Sequence, residues 1–141
     1  MIEINWLAIL VTTIVSVALG NLWFGPLFGS AWMRSVGIAK PDVMTPEIKK
    51  KMMRGFFFVI IGSFVMNLSL MHSMVFASAY LGVTGVVLGL QAGFWNWLGF
   101  IAPVTVGSVI WENRPWKYWF ITAGYYLVLL LINGIILAKW M

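Results

Sequence analysis

Four long stretches almost without charge limit what this chain can become: residues 6–24, 56–79, 85–110 and 116–138. Lys117, at the start of the fourth, is the single Asp, Glu, Lys or Arg among them. In hydrocarbon a peptide group finds no water, so each segment must pair its own N–H and C=O groups, as a helix does. About 20 residues at about 1.5 Å each cross a hydrocarbon core of about 30 Å. The expected fold is an all-α membrane protein, a four-transmembrane-helix bundle forming one integral membrane domain over residues 1–141. The chain is 62% hydrophobic and 9% charged, against about 45–50% and about 25% in a soluble domain. A soluble chain this short could not bury that much apolar surface.

The 141 residues contain no cysteine, which removes disulfides, thiolate metal sites and cysteine nucleophiles from consideration. The net charge of +5 is not a nucleic-acid signature, because the basic residues flank the apolar spans. They read as topology signals and contacts with anionic lipid headgroups. Met1–Asn5 lacks a basic leader region and no small-residue cleavage site follows Leu19, so the first span reads as a retained helix.

Residues 27–54 form the one sizeable polar region, an amphipathic linker. Ser30 can cap a short interfacial helix that Gly37 ends, with Trp32 and Val36 sharing a face. Thr45-Pro46-Glu47 is a strong helix start, combining a capping hydroxyl, proline at the first helical position and an acid in the first turn. That helix is expected to run without a break into the second span, carrying Lys49, Lys50 and Lys51 at headgroup level. Pro115 is expected at the first position of the last helix.

The loops after spans one and three carry Arg34, Lys40, Lys49, Lys50, Lys51, Arg54, Arg114 and Lys117, whereas the opposite side carries Lys139. The positive-inside rule makes the loaded side cytoplasmic and places both termini outside. Spans one and three also end alike, in Gly20…Trp23…Pro26…Trp32 and Gly107…Trp111…Pro115…Trp119. That pattern suggests two parallel helical-hairpin repeats.

The stretch from Gly20 through Trp23, Phe24, Gly25, Pro26 and Gly29 to Trp32 and Gly37 resembles the signature of the bacterial membrane proteins known as domain of unknown function 1761 (DUF1761). Phe24 and Gly25 stand where tyrosine and serine are usual. Glu112-Asn-Arg-Pro-Trp-Lys, Ala123-Gly124-Tyr125 and Gly134 also look similar to that family. The resemblance implies a small multi-pass protein of the bacterial inner membrane and no established activity.

Candidate sites are few. His72 is the sole histidine, and an ionisable side chain inside a membrane is a functional-site hypothesis. It could titrate or ligate heme, or it could simply hydrogen-bond Ser69 or a neighbouring helix. No partner His, Cys, Asp or Glu lies in any span, so neither a resident metal nor another cofactor is expected. Asn67, Gln91 and Asn96 read either as interhelical hydrogen-bond glue or as the lining of a polar cavity with His72. His72 stands about 140° around the helix from Asn67. Gly85, Gly89 and Gly93 recur every fourth residue and permit close approach by another helix, within the chain or in a second copy. Pro103 should bend span three and free the carbonyl of Gly99. Glu112 is placed to pair with Arg34 or Arg54 and lock the hairpins together. No acid, base and nucleophile set is present for catalysis.

The reading preferred from the sequence is a non-enzymatic structural or accessory homo-oligomer. The alternatives are an oligomeric small-solute carrier or channel, and a heme- or ligand-binding protein using His72. The size resembles that of small multidrug exporters, which depend on a glutamate in the first span. Here Glu3 lies outside that span, and Thr12, Thr13 and Ser16 are neutral.

Overall fold

The computed structural model describes residues 4–141; Glu3 and the two residues before it lie outside that range. Its elements are α1 (Trp6–Leu22), a π-helical segment (Trp23–Leu27), α2 (Gly29–Val36), α3 (Pro46–Leu81), α4 (Gly85–Asn96), a second π-helical segment (Trp97–Ile101), α5 (Ala102–Ile110) and α6 (Trp116–Ala138). Four helical stretches are long and apolar enough to cross a membrane: Trp6–Leu27, Pro46–Leu81, Gly85–Ile110 and Trp116–Ala138. The chain is therefore a multi-pass, all-α protein.

Local sequence accounts for the helix ends. The Asn5 side chain accepts from the Ala8 N–H at 3.1 Å and caps α1, satisfying one of the four amides left free at a helix start. Thr45 does the same for α3 by accepting from Ile48 at 3.3 Å, with Pro46 just inside. The unbroken helix of 36 residues is about 54 Å long, so its basic first turns project beyond the hydrocarbon. Gly37 closes α2 and Gly82 closes α3, each in the left-handed region where glycine carries no Cβ penalty. Two boundaries differ from expectation. Phe28 occupies the N-cap position of α2, and Ser30 lies inside that helix. Pro115 is the extended N-cap of α6, one position before the first helical residue.

Both odd spans depart from regular α-helix, and the first is broken. In the first, Gly25 adopts φ −100°, ψ −105° before Pro26, and the Phe28 amide reaches back to the Trp23 carbonyl at 2.8 Å. In the third, the helix continues through a π segment that ends two residues before Pro103. A π turn places an extra residue per turn and marks a local irregularity that straight packing cannot use. The repeat register suggested by sequence, Trp23 with Trp111, is not the one the local structure pairs. Trp111 is exposed. Trp23 and Trp97 each open a π segment, and their indole N–H groups donate to α6, to the Ile121 carbonyl at 3.0 Å and the Ala123 carbonyl at 2.8 Å.

Helix α6 is the centre of the packing, touching α1, α3, α4 and α5. Its closest neighbour is α4. A Cβ on Gly89 would run into the Gly134 carbonyl, and one on Gly93 would lie 2.6 Å from the Leu130 carbonyl. Gly89 and Gly93 therefore serve a contact inside the chain. Gly85 does not join them: it sits at φ +66° with open space around it, so it starts the helix and makes no seam. Of the two partners the spacing allows, Gly89 and Gly93 meet the one within the chain, α6. The start of α1 meets the end of α6, with Asn5 Nδ2 donating to the Trp140 carbonyl at 3.2 Å.

Candidate functional site

Polar side chains in hydrocarbon are costly unless paired, and three of them meet at the centre of the fold. Ser16 of α1, Asn67 of α3 and Asn133 of α6 are each 0% exposed. Asn133 Nδ2 donates to Ser16 Oγ at 2.9 Å and to Asn67 Oδ1 at 2.7 Å. Asn67 Nδ2 donates to the same Ser16 Oγ at 3.3 Å. The Ser16 hydroxyl donates to the Thr12 carbonyl at 2.7 Å, and the Tyr125 hydroxyl donates to the Ser16 carbonyl at 3.2 Å. One serine thus ties three helices. By sequence Ser16 is only a neutral residue of the first span; the signal that marks it is its spacing of four from Thr12.

One turn toward the basic loops, the same three helices stand apart around a half-open cavity of about 680 Å³. Its walls are Val17, Gly20 and Phe24 from the first span, Val59, Gly62, Ser63 and Met66 from α3, and Tyr125, Tyr126 and Leu129 from α6. Ser16 precedes Val17 by one position in α1, Asn67 follows Met66 by one in α3 and Asn133 follows Leu129 by four in α6, so the hub lies just past the inner end of the cavity. The lining is mainly aliphatic and aromatic, with Asn21, Ser63 and the two tyrosines as polar points. A volume of about 300–1,000 Å³ is ordinary for a site that takes a small molecule.

The family-like motif builds one wall of this cavity and the corner above it. Gly20 leaves room for Tyr125, whose hydroxyl would lie 3.1 Å from a Cβ there. Trp23 stacks near Phe28 with centroids 4.7 Å apart, Phe24 meets Trp32 edge-on at 5.6 Å, and Phe24 lies 5.0 Å from Tyr125. Pro26 sits inside the π segment. Gly29 is buried directly against the Phe24 carbonyl, where any Cβ would collide. These residues fold the chain from α1 into α2 and hold the corner on α6.

The polar residues singled out from sequence do not converge. Asn67 belongs to the hub. Asn96 Nδ2 donates to Ser73 Oγ at 3.1 Å and to the Ala92 carbonyl at 2.8 Å, beside a separate cavity of about 300 Å³. Gln91 is exposed on the outer face of α4. His72 Nδ1 lies 2.8 Å from the Leu68 carbonyl of its own helix. A carbonyl can only accept, so Nδ1 is the donor in this contact. Among the described residues no three His, Cys, Asp or Glu side chains group to hold a metal.

The expected Glu112–Arg34 or Glu112–Arg54 pair is not formed. Glu112 faces Arg114 at 3.8 Å, because Asn113 turns the chain at φ +55° and brings its two neighbours to one side. With side chains 36% and 61% exposed, that pair adds little stability. The link between the two halves comes from Arg114 itself, whose Nη1 donates to the Val36 carbonyl at the end of α2 at 3.0 Å. Arg54 instead lies over the Phe58 ring, 5.9 Å from its centroid.

The family model described as protein of unknown function (DUF1761) matches residues 7–138. No curated protein matches the chain, and no solved structure does.

Proposed function

The chain belongs to the DUF1761 family, and from its geometry we propose a non-enzymatic accessory protein of the bacterial inner membrane that holds the apolar chain of an amphiphile. The observation that carries this reading is the cavity of about 680 Å³ between α1, α3 and α6. Its wall is mainly apolar, and the Ser16–Asn67–Asn133 hub lies just past its inner end. Along α3 it runs from Phe56 to Met66, about 15 Å at about 1.5 Å per residue. That is half of a hydrocarbon core of about 30 Å, the depth of one leaflet's acyl chains. The positive-inside rule assigns the basic loop side to the cytoplasm and both termini to the outside. The proposal needs no second copy, and self-association would have to use a face other than Gly89–Gly93. A carrier would have to part the hub to let a solute through.

Native mass spectrometry of the protein released from lipid nanodiscs tests the reading. Wild-type protein should retain one chain-bearing molecule, and Gly62→Phe should release it. Nothing lies within 4 Å of a Cβ at Gly62, so the new ring has the cavity to fill. Equal retention by both proteins would dispose of the proposal.

A further inference from the structure

We propose that Lys51 and Arg54 form a headgroup clamp at the loop-side mouth of this cavity, selecting amphiphiles with an anionic phosphate or carboxylate. This inference rests on the acyl-chain reading given above.

At about 100° per residue, Lys51, Gly55, Phe58 and Gly62 fall within a strip about 60° wide. Phe58 and Gly62 line the cavity, so the strip leads from its wall to the basic extension. Gly55 has nothing within 4 Å of a Cβ position, so the strip has a gap in side-chain cover where the wall meets the headgroup layer. Arg54 flanks the same strip. Its guanidinium rests over Phe58, 5.9 Å from the ring centroid, and that contact holds a weakly hydrated cation at the boundary between oil and water. Lys51 is three residues earlier, one turn further out on the neighbouring face. Among the described residues neither has a carboxylate partner within 4.0 Å, the one ion pair being Arg114–Glu112. Two cations therefore stand where the head of a chain buried to Met66 would emerge. A planar guanidinium fork suits two oxygens of one phosphate or carboxylate. Lys49 and Lys50 lie off the strip by helical register and serve as internal controls of equal charge.

Competition binding in nanodiscs tests the clamp, using phosphatidylglycerol, phosphatidylcholine and oleate of matched chain length. Wild-type protein should prefer phosphatidylglycerol over phosphatidylcholine. Lys51→Gln with Arg54→Gln should lower that preference roughly tenfold or more while phosphatidylcholine still binds. Lys49→Gln with Lys50→Gln should keep it. Oleate competing as well as phosphatidylglycerol would make the head a carboxylate or phosphate without distinction; oleate failing to compete would restrict it to phosphate. An unchanged anionic preference in the Lys51/Arg54 variant, or an equal loss in the Lys49/Lys50 variant, would overturn the clamp and leave the cavity reading standing. No binding of any of the three lipids to wild-type protein would overturn the cavity reading itself.

Discussion

Helix α6 has two unlike sides. Against α4 it packs backbone to backbone, with Gly89 on Gly134 and Gly93 on the Leu130 carbonyl. On the loop side of the hub it stands off from α1 and α3 and leaves a cavity of about 680 Å³. Glycines occur at both places. At the first they let two helices approach until no side chain would fit, which is how small residues drive association in lipid. At the second, Gly62 faces open space, and the missing side chain widens a void. The same residue thus closes one interface and opens the other, and what decides is whether a partner helix is there to use the room.

The largest effect should come from breaking the closed side. Gly89→Leu places a side chain where the Gly134 backbone already sits, and two main chains cannot yield as a flexible side chain would. Overpacking a core typically costs about 1–3 kcal/mol, and here the cost should reach the top of that range or more. Thermal unfolding in detergent should show little or no folded protein. A transition like that of the wild type would mean that α4 and α6 do not meet as described.

Next in size is the hub at the inner end of the open side. Asn133→Leu removes donors to Ser16 and Asn67. Interhelical hydrogen bonds in a membrane average about 0.6 kcal/mol each, so the loss should be about 1–2 kcal/mol by denaturant titration. Ser16→Ala in the same background should add less than it does alone, because the two share bonds. Strict additivity would show that the three side chains do not act as one network.

The indole contacts should matter less. Trp23→Phe and Trp97→Phe each remove one donor to an α6 carbonyl and keep an aromatic ring, for about 0.5–1.5 kcal/mol apiece. Equal losses would support treating the two π segments as counterparts. A loss confined to Trp23 would tie the anchoring to the corner made by the family motif.

What the sequence revealed and what it hid follow from range. Thr45, Pro46 and Gly37 act on amides a few residues away, and their roles were readable from spacing alone. The span count was readable because hydrocarbon leaves a backbone few choices. Ser16 was not, since its partners Asn67 and Asn133 are 51 and 117 residues distant and nothing local distinguishes a hub from a helix-internal serine. Glu112 misled for a related reason: charge and side of the membrane allowed three arginines, and a left-handed Asn113 chose the nearest. The glycine spacing correctly signalled a tight contact for Gly89 and Gly93. It could not name the partner, and it could not tell that Gly85 starts the helix while Gly62, outside the pattern, faces a cavity.

The smallest expected effect is the sharpest test of that difference, because it uses one substitution at two places. Gly→Ala within a helix ordinarily stabilises by roughly 0.5–1 kcal/mol, as alanine loses less backbone freedom on folding. At Gly62 nothing opposes this gain, since a methyl group there meets no atom within 4 Å, and Gly62→Ala should leave stability unchanged or raise it by a few tenths to about 1 kcal/mol. At Gly89 the same methyl meets the Gly134 backbone, so Gly89→Ala should be destabilising despite the better helix former. The sign of the two shifts, read from parallel unfolding curves in one detergent, carries the comparison. Two shifts of the same sign would mean that the open and closed sides of α6 do not differ as their glycines indicate.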